Sequence, residues 1–187
     1  MNKVYKDRLL IPLVIAAWVL VLLFLFTSCN FQHYGESSLG YAPGFDQGSR
    51  ISKRRSVLVG ARHIAERPLG DTGLTWGFAT GFQLSYTEDA FAGHNYDYRE
   101  YRFREQLLVS YPATFTPYIA GGISYNVLEA DSDFVDDTEW QGVVTAGVRY
   151  SRYFFEYQGM NTEYEANPYN PYDVNHWMNI FLFGIRF

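Results

Sequence analysis

The sequence predicts an all-β protein, an antiparallel up-and-down β-barrel of about eight strands that crosses a membrane. Three observations support this fold class. Large apolar residues alternate with small or polar residues along most of the chain after residue 55, which is the period of a β-strand with two different faces. The connections between these segments are alternately short and long, as they are in membrane barrels. An apolar segment of 18 residues near the N-terminus directs a chain to a membrane or across one.

The N-terminal segment has the order of parts found in a signal peptide. Three basic residues precede the apolar stretch Leu9–Phe26, and two small residues, Thr27 and Ser28, follow it. The sequence "LFTSC", which ends at Cys29, resembles the lipobox of bacterial lipoproteins. This resemblance implies that residues 1–28 are a cleaved, lipoprotein-type signal peptide and that Cys29 becomes the lipidated first residue. An uncleaved helical anchor is the alternative, because 18 apolar residues also suffice for a short membrane span.

Residues 29–53 are predicted to be a linker. They are rich in Gly, Ser and Gln and have no sustained period, apart from one weak strand candidate at 38–45. By resemblance to sorted lipoproteins, Asn30 after the cysteine allows passage to the outer membrane. The barrel itself is predicted to span residues 54–187.

The strand pattern is clearest in Gly73–Tyr86. Its large residues, such as Trp76 and Phe82, share one face, and its small or polar residues share the other. A barrel in lipid has apolar side chains outside and polar ones inside, the reverse of a soluble β-protein. Seven strands are predicted from this pattern: Ser56–Ala65, Gly73–Tyr86, Tyr98–Tyr111, Pro117–Leu128, Glu139–Tyr150, Tyr153–Met160 and Asn175–Phe187. Because bacterial single-chain barrels have an even number of strands, the eighth is expected before Ser56, and the segment 38–45 is the candidate.

One residue departs from this alternation. Glu105 falls on the apolar face of its strand, between Phe103 and Leu107. A carboxylate that faces lipid is costly. We therefore expect a β-bulge at this point that turns the side chain away from the lipid.

Three stretches carry a resemblance to a known family. "FTPYIAGGISYN", "TAGVRYSRYFFEYQGM" and the ending "LFGIRF" resemble the small outer-membrane β-barrel superfamily of OmpA-like and OmpX-like eight-stranded barrels, over residues 56–187. The resemblance implies a location in the bacterial outer membrane, among its lipids and lipopolysaccharide. The last strand is similar to the C-terminal signal that such barrels present to the barrel assembly machinery, and the residues concerned are Phe181, Phe183, Ile185 and Phe187.

The interior of an eight-stranded barrel is just wide enough for its own side chains. Polar groups placed there must pair or form hydrogen bonds, because the interior has a low dielectric constant. We expect a polar network that plugs the lumen, formed by Arg102, Arg104, Arg149, Glu156 and Gln158, with Arg102 or Arg149 paired to Glu156. Two further residues, Arg62 and Gln83, are expected to face the lumen. A narrow polar conduit is the alternative.

The remaining candidate sites give little support to catalysis or metal binding. The four histidines have no metal-site spacing, and the acidic loop Glu129–Glu139 matches no calcium loop, so no metal site or cofactor is expected. Small barrels that deacylate lipid A carry a His-x-Ser-Asn stretch, where this chain has "EYQGMN" at 156–161. No catalytic residue is therefore assigned.

These observations predict a structural or surface-interaction role for an outer-membrane barrel. The loop Asn161–Asn175, which mixes Tyr with Asn and Pro, is a candidate contact surface for an unidentified ligand. A lipid-modifying enzyme is the alternative, followed by a small-solute pore. The formal net charge of −5 gives no support to nucleic-acid binding.

Overall fold

A computed structural model describes residues 31–43, 55–91, 94–130, 137–164 and 174–187. Within these residues, eight antiparallel strands follow one another in chain order and close into a barrel, with β1 beside β8. The strands are β1 (Gln32–Ala42), β2 (Arg55–Pro68), β3 (Thr75–Phe91), β4 (His94–Ser110), β5 (Phe115–Ala130), β6 (Asp137–Tyr150), β7 (Tyr153–Tyr164) and β8 (Val174–Arg186). The predicted fold class is confirmed.

The eighth strand is β1, and it differs from the candidate at 38–45. It begins at Gln32 and ends at Ala42, so the barrel begins within the predicted linker and not at residue 54. The alternation is weak here because most residues of "QHYGESSLGYA" are small or polar, and only Leu39 and Tyr41 expose large apolar side chains. The strand is held by pairing instead: Gly35 and Phe187 exchange two backbone hydrogen bonds of 3.0 Å at the seam of the barrel.

The barrel has an apolar exterior and a largely polar interior. Ile119 is 65% exposed and Phe183 is 55% exposed on the outer face, whereas inward Arg102, Gln83 and Glu156 are fully buried. Because this inverts a soluble protein and the closed sheet leaves no unpaired strand edge, the exterior is suited to lipid.

The connections follow the predicted alternation in length only in part. On one side lie the turns 69–74, 111–114 and 151–152, and both ends of the barrel, Gln32 and Phe187, lie on this side. On the other side, connections of 12, 6 and 9 residues join β1 to β2, β5 to β6 and β7 to β8, whereas β3 and β4 extend through most of residues 87–98 and are separated by only two residues. In outer-membrane barrels the short turns are periplasmic and the long loops extracellular. Residues 1–30, which include Cys29 and the apolar segment, lie outside the described residues, and the residues that are described include no helix long and apolar enough to cross a membrane.

The bulge expected at Glu105 is absent. Strand pairing runs without interruption through this position, with Thr80 and Ile123 directly across from Glu105 on the two neighbouring strands. Glu105 therefore stays on the outer face. Its carboxylate is accommodated by a cross-strand hydrogen bond of 2.6 Å from the hydroxyl of Thr80 to Oε2, and the register does not change.

Candidate functional site

Five charged side chains meet inside the barrel, toward the short-turn side. They come from four strands, because each occupies an inward position of the two-residue alternation: Glu36, Arg62, Glu66, Arg149 and Glu156. Arg62 is the centre of this cluster, with Nη2 2.5 Å from Glu36 Oε2 and Nη1 2.6 Å from Glu156 Oε2. Arg149 joins the other carboxylates, with Nε 3.2 Å from Glu36 Oε1 and Nη1 3.1 Å from Glu66 Oε1. The ion pairs thus connect β1, β2, β6 and β7 across the lumen.

Tyr118 adds β5 to the charged cluster. Its hydroxyl donates to Glu156 Oε2 over 2.6 Å and accepts from Arg62 Nη2 over 3.1 Å. The guanidinium carbon of Arg149 lies 4.3 Å from the centre of the Tyr118 ring, which is a cation–π contact. Tyr118 is only 3% exposed, so these interactions take place in a medium where charges attract one another strongly.

Hydrogen bonds extend the cluster at both of its ends. Glu66 accepts from the hydroxyls of Tyr34 and Ser110, and the Ser110 hydroxyl lies 2.5 Å from that of Thr75. At the other end, the amide of Gln158 donates to Glu156. Every carboxylate of the cluster therefore has several partners, which is the condition under which buried charge is tolerated.

A second polar group lies nearer the long-loop side. Arg102 pairs with Glu100, with Nη2 2.5 Å from Oε2. A separate chain of hydrogen bonds runs from Asn126 to Gln141 and from Gln141 to Glu139 over 2.5 and 3.0 Å.

An apolar cluster shares the lumen with these polar groups. It consists of inward side chains that are at most 3% exposed, together with the partly buried Met178: Ala42, Leu58, Val143, Met160, Ile180 and Leu182. These apolar inward residues were not singled out from the sequence. The charged cluster and the apolar cluster are both buried inside the barrel.

The structure places all five predicted lumen residues inside the barrel, but their pairing differs from the expected one. Glu156 pairs with Arg62, whereas Arg102 pairs with Glu100 and Arg149 with Glu36 and Glu66. Arg104 is 3% exposed and has no hydrogen bond or ion pair within the described part of the chain. Gln158 bonds to Glu156.

Sequence reasoning missed three members of the cluster. Glu36 lies on β1, which was recognised only in part. Glu66 is one residue beyond the predicted end of its strand at Ala65, and the strand in fact continues to Pro68. Tyr118 was not considered because aromatic residues were assigned to the exterior. Neighbouring residues of a strand point to opposite faces, so Tyr118 points inward because the next residue, Ile119, is exposed on the outer face.

The four residues of the predicted assembly signal share the outer face of β8. Phe181, Phe183, Ile185 and Phe187 are between 41% and 75% exposed, and Phe183 faces Phe155 directly across the β7–β8 pair. They are therefore part of the apolar belt in the folded barrel.

Solved structures of outer-membrane barrels resemble this chain. Neisserial surface protein A (NspA) matches with a TM-score of 0.57 at 18% sequence identity, over 82% of this chain and 95% of that one. Ail, the attachment invasion locus protein of Yersinia pestis, solved in complex with the heparin analogue sucrose octasulfate, matches with a TM-score of 0.48 at 12% identity, over 84% and 99% of the two chains. The N-terminal β-barrel domain of Pseudomonas aeruginosa OprF matches with a TM-score of 0.39 at 14% identity, over 84% and 100%. No protein-family model and no curated protein sequence matches the chain.

The similarity to NspA agrees with what the barrel itself requires. A closed sheet with apolar side chains around its whole circumference needs lipid on the outside. Closure of the sheet also separates the polar side chains of the lumen from that lipid. The chain therefore has the fold of the small eight-stranded outer-membrane β-barrels.

Proposed function

We propose that this protein is a closed, non-conducting outer-membrane barrel whose long-loop side is a contact surface at the cell surface. The observation that supports the proposal is the burial of two side-chain clusters inside the barrel, the charged cluster around Arg62 and the apolar cluster around Ile180. A barrel of eight strands has no room for a solute path beside such side chains. The part of the molecule left for function is the surface formed by the long loops.

The composition of these loops indicates what kind of partner they suit. The segment Thr87–Tyr98 contains three carboxylates, Glu129–Glu139 contains six and Asn161–Asn175 contains three, and none of the three contains Lys or Arg. The fourth connection on this side, residues 43–54, contains Arg50, Lys53 and Arg54 and one carboxylate, Asp46, so the four segments together carry a formal charge of −12 + 2 = −10. Such a surface attracts positively charged groups and repels anions. We therefore favour a partner with a basic surface, bound through complementary charge.

Two measurements test the proposal. The purified protein in planar bilayers should give no single-channel conductance, and a stable conductance would contradict the filled lumen. The protein in electrically neutral phosphatidylcholine vesicles should bind a Lys-rich peptide more strongly than a Gln-substituted peptide of the same length, and added salt should weaken the binding.

Neutralising the six carboxylates of Glu129–Glu139 should weaken peptide binding by about tenfold. The matched control is Arg152→Gln, a charge change at an exposed residue of the short-turn side, which should leave binding unchanged. Equal binding by the wild type and the neutralised variant would contradict an electrostatic contact surface.

A lipid-modifying activity finds no comparable support. On the outer face, Thr80 lies directly across from His63, but its hydroxyl donates to Glu105 and forms no hydrogen bond to His63 among the described residues. The Glu105 carboxylate is a base within reach of this hydroxyl, but Thr80 is only 3% exposed, so the hydroxyl is not open to the ester of a lipid. Expression of the protein should therefore leave the mass of lipid A unchanged, and the loss of an acyl chain would overturn this assignment.

A further inference from the structure

A band of polar side chains crosses the lipid-facing surface of β1 to β4. Its members are His33, His63, Thr80 and Glu105, of which Thr80 is only 3% exposed. His63 and Thr80 are paired across β2 and β3, and Thr80 and Glu105 across β3 and β4. The ring of His33 stacks on that of His63 with centroids 5.3 Å apart, and Nδ1 of His33 lies 3.3 Å from Nε2 of His63. The band is therefore continuous over four neighbouring strands.

The acidic end of this polar band lies well inside the apolar belt. On β4, Glu105 is flanked by Leu107 and Phe103, which are 58% and 39% exposed. Oε2 of Glu105 accepts from Thr80, but Oε1 has no hydrogen-bond partner among the described residues. Lipid chains offer no donor to such an oxygen, and unsatisfied polar groups in hydrocarbon are costly.

We propose that the polar band is the contact surface for a second copy of this chain in the membrane. The argument is charge complementarity: the carboxyl group of Glu105 is at one end of the band, the imidazoles of His63 and His33 are at the other, and Thr80 lies between them. Two copies in one membrane have the same up–down orientation, so a two-fold axis along the membrane normal relates them. With that axis beside Thr80, Glu105 of each copy faces His63 of the other.

The tilt of the strands is compatible with this arrangement. Strands in such a barrel are about 4.8 Å apart and tilted by about 40° from the membrane normal. Residues paired across two neighbouring strands therefore differ in height along the membrane normal by about 3 Å. His63 and Glu105 are two strands apart, so the facing side chains differ in height by about 6 Å. Extended Glu and His side chains that approach from the two copies can cover this distance. Phe82, next to Thr80 on the same face, is 38% exposed and supplies apolar contact around the polar centre.

Disulfide formation in the outer membrane tests the surface. Phe82→Cys places a thiol beside the centre of the band, and Cys29, which the predicted lipoprotein signal requires, is kept in this protein and in the control alike. Phe155→Cys is the matched control, because Phe155 is also an exposed outward Phe, at 50%, but lies on β7. Mild oxidation should cross-link the Phe82→Cys protein at least tenfold faster than the control. Equal rates, or faster cross-linking through Phe155→Cys, would overturn the proposal.

A second substitution tests whether Glu105 contributes to a contact between two copies or only to the fold of one copy. Glu105→Leu added to Phe82→Cys should reduce cross-linking at least fivefold, while the folded fraction, read from heat-dependent gel mobility, is unchanged or higher because a carboxyl group has left the lipid face. Unchanged cross-linking would overturn the proposal. Where Glu105→Leu fails to fold, Glu105→Gln keeps the hydrogen bond from Thr80 but lacks the charge, and the same reduction is expected.

Discussion

Replacing Glu156 by Gln should destabilise the barrel severely. The carboxylate is fully buried, lies 2.6 Å from Arg62 Nη1 and accepts from the hydroxyl of Tyr118 and the amide of Gln158. Gln has the same size but no charge, and its amide has one accepting oxygen in place of two. Arg62 then keeps Glu36 as its one carboxylate partner among the described residues, and one of the two accepting positions of residue 156 becomes a donor. Removing one partner of a buried ion pair costs about 3–5 kcal/mol.

Urea unfolding in phospholipid vesicles measures this change, with the fluorescence of the barrel residues Trp76, Trp140 and Trp177 as the signal. With a slope of about 2 kcal/mol per molar urea, a loss of about 4 kcal/mol lowers the unfolding midpoint by about 2 M. Glu139→Gln is the control, because Glu139 is only half-buried at the long-loop end and accepts from Gln141 over 3.0 Å, and it should cost less than about 1 kcal/mol. A cost below about 1 kcal/mol for Glu156→Gln as well would refute the reasoning, since it would mean that water screens the lumenal charges.

Three further outcomes are expected. Gly77→Ala should lower the free energy of unfolding by about 1–3 kcal/mol, because an added Cβ would lie 2.0 Å from a backbone oxygen of β2. Gly142→Ala is the control for the same urea titration and should be nearly neutral, because an added Cβ there meets no atom within 4 Å. Phe187→Ala should leave unfolding in vesicles almost unchanged but lower the yield of folded barrel in cells, because Phe187 belongs to the predicted assembly signal. Phe115→Ala, which removes another exposed aromatic side chain, should change neither quantity. Equal yields of the two variants would contradict the role assigned to Phe187. Intact-mass spectrometry of the protein from outer membranes should find a mature chain that begins at an acylated Cys29, and an unprocessed chain in the inner membrane would contradict the lipoprotein assignment.

The barrel could be predicted from sequence because lipid imposes a simple rule on each strand. In β3 and β8 most residues of the outer face are large and apolar, and no helix can place residues with this spacing on one face. β1 escaped full recognition because its closing contacts are backbone hydrogen bonds between Gly35 and Phe187, which leave no trace in the pattern of side chains.

The pairing inside the lumen could not be predicted in the same way. The two-residue alternation along each strand predicts which side chains point inward. Which charged groups meet depends on the register between strands that are distant in sequence. Arg62 and Glu156 are far apart in the chain and come together only because β1 and β8 close the barrel between β2 and β7. Glu105 illustrates a related limit. The sequence suggested a β-bulge there, but the strand stays regular and the carboxylate instead accepts a hydrogen bond from the hydroxyl of Thr80 on the next strand.

The unequal lengths of the strands give the barrel a raised edge. β3 and β4 have 17 residues each, whereas β1 has 11. At about 3.3 Å per residue and a tilt of about 40°, a strand of 17 residues rises about 43 Å and one of 11 about 28 Å. An apolar belt of about 25 Å leaves the β3–β4 hairpin standing about 18 Å above the lipid, while β1 ends near its surface. Among the described strands, the β3–β4 hairpin therefore extends farthest from the membrane, and a partner of the proposed contact surface would reach this hairpin first.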